Sequence, residues 1–174
     1  MIFVIKYALL MMLLLMSLIS DVKTRKIKNL IVFSFMVMGV LIGLCETGLV
    51  GILNSMCGII LPILILFPLF VLKMLGAGDI KCFSAIGAIM GAGFAAESII
   101  YSFIVGGVIA LIIMLFNNNA VKRFKGLLNY LKTCILTFSI TQYDDLKRSE
   151  GAFRFTYAVV IGVIINLYFF QSKH

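Results

Sequence analysis

Leu49-Val50-Gly51-Ile52-Leu53-Asn54-Ser55-Met56-Cys57-Gly58-Ile59-Ile60-Leu61-Pro62-Ile63-Leu64-Ile65-Leu66-Phe67-Pro68-Leu69-Phe70-Val71-Leu72 contains no charged side chain. A run of this length meets the requirement of ~20 apolar residues for a helix that crosses a hydrocarbon core ~30 Å thick. Similar runs occur on both sides of it, at about Ile2 to Ser20, Leu30 to Cys45, Cys82 to Ala96, Ser98 to Phe116 and Phe153 to Phe170. The composition agrees, with 63% hydrophobic and 13% charged residues in a chain of 174 and a mean hydropathy of +1.17. Such values argue against a soluble domain. The expectation is an all-α, polytopic membrane helix bundle of six transmembrane helices, forming a single domain over residues 1–174.

Three runs have features of their own. Pro62 and Pro68 each remove a backbone donor from the third and are candidates to kink it. The fourth is short and rich in small residues, Ala85, Gly87, Ala88, Gly91, Ala92 and Gly93, which suits close packing inside the bundle and not contact with lipid. The first follows Lys6 as a signal peptide would, but no small-residue cleavage site ends it and more apolar runs follow, so it reads as the first span.

Charge gives the orientation. Lys23, Arg25, Lys26 and Lys28 follow the first run, Lys73 and Lys81 surround the next junction on that side, and Lys122, Arg123, Lys125, Lys132, Lys147 and Arg148 precede the last run. The alternate junctions hold only Glu46 and Glu97. By the positive-inside rule the basic junctions are cytoplasmic and both termini lie outside the cell membrane. The same rule accounts for the net charge of +8 without nucleic acid. Between about 117 and 152, Val121, Phe124, Leu128, Leu131, Ile135 and Phe138 recur at helical steps. That stripe predicts an amphipathic segment on the cytoplasmic surface, its amines near anionic lipids; a solvated basic loop is the alternative. Its aromatic residues follow the apolar stripe and do not alternate with charge as a base-stacking surface would.

Little side-chain chemistry is on offer. Cys45, Cys57, Cys82 and Cys134 stand singly, without metal or redox spacing, and read as apolar filler. The lone histidine is His174. Carboxylates remain, and an ionisable group at a membrane boundary needs a reason. Asp21 follows the first run, and Asp79 sits in Gly76-Ala77-Gly78-Asp79-Ile80-Lys81 between the third and fourth. Both are expected at cytoplasmic helix ends, at similar depth, where they can meet. Each has a structural alternative: Asp79 as an N-terminal cap of the fourth helix, Asp21 as the partner of Lys23 or Arg25. Gly76 and Gly78 favour a site, because they add backbone freedom and clear side chains from beside the acid.

These residues carry a resemblance. Gly76-Ala77-Gly78-Asp79 with Lys81 resembles the GxGDxK signature of the prepilin peptidases, membrane aspartic proteases. The segment Asp21-Val22-Lys23-Thr24-Arg25-Lys26-Ile27-Lys28-Asn29 is similar to their first-aspartate loop, which commonly ends Ile-Pro-Asn. The resemblance implies an endopeptidase without a cofactor, Asp21 and Asp79 being the catalytic pair. Its substrates would be type IV pilin-like precursors with a basic leader, cut at the cytoplasmic face. The closest likeness is to the short, peptidase-only members that serve Flp-type pili. Those lack the N-terminal cysteine-bearing extension of the bifunctional members, so methyl transfer is not expected.

Two departures stand out. Lys28 occupies the usual proline position, which is expected to loosen the loop, and Phe153 to Ala158 lacks the family's proline near the last helix. Lys81, Asn29 and Arg154 are candidate contacts, Lys81 serving either the ionised pair or lipid headgroups. The positive end of the fourth helix favours charge on Asp79 and makes it the expected base. A presenilin-like protease sharing GxGD, and a small proton or cation transporter using Asp21 and Asp79, are the alternatives. Oligomeric state is not legible.

Overall fold

The computed structural model describes residues 2–24, 28–72, 74–116 and 155–173. These form six α-helices and, among the described residues, no strand: α1 (Ile2–Thr24), α2 (Asn29–Thr47), α3 (Leu49–Val71), α4 (Ala77–Met90), α5 (Ala92–Phe116) and α6 (Phe155–Lys173). The amphipathic segment expected over 117–152 lies outside the described residues.

The all-α class and the apolar bundle agree with the sequence reading, but the count of spans differs. Five helices, α1, α2, α3, α5 and α6, are long and apolar enough to cross a membrane. The fourth is not. Expected from Cys82 to Ala96, it starts instead at Ala77 and stops at Gly91, whose φ of 94° turns the chain out of the helix. At 14 residues it extends about 21 Å, short of the ~30 Å core. Ala92 to Ala96 belong to α5, and Glu97 lies within that helix, as Glu46 lies within α2, instead of in the loops where the sequence placed them. A continuous supply of small residues across Gly91 concealed the break.

What α4 lacks in length it makes up in enclosure. Ile80 and every residue from Cys82 to Ile89 are buried, as its small side chains suggest. A Cβ built on Gly87 would lie 2.0 Å from the carbonyl oxygen of Gly58 on α3, and one built on Gly39 of α2 would lie 2.7 Å from the carbonyl carbon of Ala88. The backbones therefore touch where glycine removes the side chain between them, the usual means of helix association in lipid. α3 continues through Pro62 and Pro68 as one helix.

The remaining helices surround this centre. α2 and α3 form a hairpin about Gly48, whose φ is 64°. α6 lies along α5, with Asn166 Nδ2 donating to Phe94 O at 3.1 Å and to Ser98 Oγ at 3.0 Å in the buried interface, and the rings of Phe94 and Phe170 meet edge to face. α1 presents one stripe to the bundle, Leu9, Leu10, Leu13, Leu14, Ser17 and Ser20, and exposes its other sides. Lys6 on α1 forms a half-buried ion pair with Glu46 at the end of α2 remote from Asn29.

Candidate functional site

Helical periodicity brings the two aspartates together. On α1 the buried positions Leu10, Leu14 and Ser17 continue at the same spacing to Asp21, so the stripe that packs the helix also turns this carboxylate inward. On α4, Cys82, Phe83 and Ile86 are buried three, four and seven residues beyond Asp79, which puts Asp79 on the enclosed face too. The helices meet where Cys82 Sγ lies 3.8 Å from Ser17 Oγ. Asp21 is one turn past that contact on α1 and Asp79 one turn before it on α4, at the same level.

The electrostatics reflect this convergence. Asp79 lies outside the five candidate spans. Burial, followed by the negative charge of Asp21, pushes its carboxyl from 3.8 up to about 6, against a smaller lowering by the Gly76 backbone hydrogen bond. Desolvation and a like charge thus act against the helix end, which by itself favours the charged form of Asp79. One oxygen of the partner acid, Asp21 Oδ2, is buried and has no hydrogen-bond partner. A buried carboxylate oxygen normally has one.

The capping role proposed for Asp79 is also present. Gly76 is the N-cap residue and has no side chain to cap with; Asp79 N–H donates to Gly76 O at 3.1 Å, and the Asp79 carboxylate accepts from the Gly76 backbone, the half of a capping box that the third helical residue supplies. The cap holds the side chain in place. Gly76 does not supply unusual backbone freedom: its φ is −77°, and Gly48 and Gly91 are the positive-φ glycines among the described residues. Its use is space, since a Cβ there would stand 3.2 Å from Asp79 Oδ2. Gly78 lies in the first turn of α4, half-buried beside Asp79.

Two hydrogen bonds cross the same end of the bundle. Lys81 Nζ donates to Asn29 Oδ1 at 2.9 Å, and the Lys28 backbone N–H donates to Ser20 Oγ at 3.3 Å. Lys28 has a φ of −66°, the value a proline would impose. The loop is therefore tied to α1 by an N–H that a proline lacks, a compensation the sequence reading did not foresee. Asp21, Asp79, Gly76, Gly78, Lys81 and Asn29 all lie at this end; Arg154 is outside the described residues.

Other features were not read from the sequence. Ser17 and Ser20 interrupt an apolar run at inward positions, a signal that helical spacing could have revealed. Cys82, taken as filler, packs at the α1–α4 contact. An apolar groove of about 510 Å³, lined by Phe70, Val71, Met74, Leu75, Gly76 and Ala77, opens beside the Asp79 turn; it depends on the α3–α4 connection and has no sequence signature. Among the described residues no three His, Cys, Asp or Glu side chains gather into a metal-binding group.

No curated protein and no solved structure matches the chain. The profile of the type IV leader peptidase family matches residues 8–115, more than half of the chain, from α1 through nearly all of α5 and including both aspartates. The chain belongs to the type IV leader peptidase family.

Proposed function

We propose that this family member is a membrane aspartic endopeptidase, with Asp21 and Asp79 activating the water that cleaves the leader of a pilin-like precursor. Family membership supports a leader peptidase in general terms. The observation that carries the acid-pair reading is the α1–α4 contact of Cys82 Sγ with Ser17 Oγ at 3.8 Å, which leaves Asp21 and Asp79 each one turn away at the same end of the bundle, where burial and then the charge of Asp21 raise the pKa of the Asp79 carboxyl.

Two close carboxyls share a proton because both do not readily ionise together. The protonated member of the pair hydrogen-bonds the scissile carbonyl oxygen. The ionised member takes a proton from water as the water oxygen attacks the carbonyl carbon. The resulting tetrahedral diol collapses with cleavage of the C–N bond, and the departing nitrogen takes a proton from the pair. No covalent enzyme intermediate forms. The pair titrates as a unit, so its pH limits belong to both acids.

Charge asymmetry supports a cytoplasmic location for this end of the bundle. A precursor with a basic leader and an apolar helix would then stop with its cleavage point at the depth of the acids. Flp-type precursors are the proposed substrates, and anionic lipids the proposed neighbours of the basic loops, at ~1 kcal/mol per residue near the surface.

The test is co-expression with such a precursor, the mature N-terminus being read by mass spectrometry. Leader removal by the wild type and none by inserted Asp21→Asn or Asp79→Asn is expected. Cleavage by either purified variant at a rate near wild type would reject the pair. Turnover should also be indifferent to chelators; loss restored by a metal would count against this mechanism.

A further inference from the structure

Lys81 lies two residues past Asp79, and side chains two apart on a helix do not face one another. The charge bearing on Asp79 is that of Asp21, whereas the Lys81 ammonium is directed to Asn29. Asn29 opens α2. Its predecessor Lys28 is bonded through its N–H to Ser20, the residue adjoining Asp21. Covalent and hydrogen bonds thus form a continuous path between the acids, through Ser20, Lys28, Asn29 and Lys81, that bypasses residues 25–27.

We propose that Lys81 is a positioning residue: by bonding Asn29 it straps the first turn of α2 to α4, and through Lys28 and Ser20 it sets the height of Asp21 opposite Asp79. This rests on the acid-pair reading above. The need follows from how α1 is held. Besides the Lys6–Glu46 ion pair at its far end and the long Cys82–Ser17 contact, it touches the bundle along one mainly apolar stripe, with Phe3, Met12, Leu15, Ile19 and Val22 exposed elsewhere. Apolar packing is non-directional and resists sliding along the helix axis poorly, whereas hydrogen bonds fix distance and angle. Asp21, at the end of α1, gains most from such a fixed point. Lys81 then serves neither as a charge for the ionised pair nor primarily as a headgroup contact.

The test is leader-removal kinetics of full-length enzyme in liposomes, using a precursor peptide and K81M, N29A, their double mutant, K81R and N29D. Loss of one ordinary hydrogen bond corresponds to about five- to tenfold in rate. K81M and N29A should each lower kcat by about that factor with KM changed less than twofold, and the double mutant should lose no more than either single. K81R and N29D, which keep donor and acceptor, should stay within about threefold of wild type. The two limbs of the pH–rate curve should draw together in K81M and N29A, because separated acids couple less. Multiplied losses in the double mutant, losses confined to KM, or a K81M defect that follows the anionic lipid content and is absent from N29A would overturn the strap. Should K81M fail to insert, N29A against N29D decides the same question. D21N and D79N run alongside separate the two readings: activity in either defeats the acid pair, whereas inactive acid variants with an unaffected, active K81M defeat the strap alone.

Discussion

Cys82 Sγ rests 3.8 Å from Ser17 Oγ, one helical turn inward from Asp79 on α4 and from Asp21 on α1. This contact sets the separation of the helices that carry the acids. It is made of two small polar side chains, both buried, so nothing larger fits without moving one helix. Ser17→Leu should therefore lower peptidase turnover at least tenfold in protein that still inserts, because overpacking of ~1–3 kcal/mol is relieved by displacing α1. Cys82→Ala should retain activity within a few-fold, since the small side chain keeps the helices close. Kinetics on purified enzyme check both, and full activity in Ser17→Leu would show that this crossing does not govern the pair.

Acidity offers a second test, through stability. Asp79 binds its proton up to about pH 6 in the folded protein, against 3.8 for an unperturbed aspartate. Its folded pKa is raised, so the stabilisation is fully present below pH ~3.8 and is lost as pH rises through about 6. Above that the folded protein carries the cost of an ionised, desolvated carboxylate beside Asp21. Asp79→Asn removes this cost and keeps an oxygen for the Gly76 cap. It should resist heat better than wild type at pH 7.5, the difference shrinking toward pH 4, as followed by thermal unfolding in detergent. A variant equally stable or less stable at pH 7.5 would contradict the electrostatics of the site.

Part of this arrangement was legible in the chain. Long apolar runs gave α1, α2, α3, α5 and α6, because continuous hydrophobicity is a strong signal at that length. The approach of Asp21 to Asp79 followed from their positions at run ends. The extent of α4 did not, because the residues on either side of Gly91 are equally small and only φ marks the break. Nor did the protonation preference of Asp79, since the dipole of its own helix is visible in sequence while burial by α1 and the neighbours of α4 is not. The bonds from Lys81 to Asn29 and from Lys28 to Ser20 join separate elements and have no local signature.

Gly58 and Gly87 provide a third prediction. A Cβ added to either would lie 2.0 Å from the carbonyl oxygen of the other, and a backbone cannot yield as a flexible side chain does. Gly87→Ala should force α3 and α4 apart and cost at least the ~1–3 kcal/mol of ordinary overpacking, whereas Gly93→Ala, with nothing within 4 Å, should be neutral or stabilising. Thermal unfolding in detergent distinguishes them. Equal behaviour of the two variants would mean that the backbones do not meet at this point.

Lys28→Pro is the more discriminating substitution in the loop, because two effects oppose each other there. The backbone already has a φ of −66°, so the ring enters without strain at that angle and reduces the freedom of the unfolded chain, which stabilises by ~0.4–1 kcal/mol. The same ring removes the N–H that reaches Ser20 at 3.3 Å, a long bond of roughly 0.5–1.5 kcal/mol. Stability should therefore shift by no more than about 1 kcal/mol, whereas turnover should fall by about five- to tenfold, as in K81M, because the ring fixes φ without joining residue 28 to Ser20. Ser20→Ala loses the bond without that constraint and should be the less stable of the two. If Lys28→Pro kept turnover near wild type, the N–H to Ser20 would not be the link that sets Asp21, and the path from Lys81 would fail at this bond.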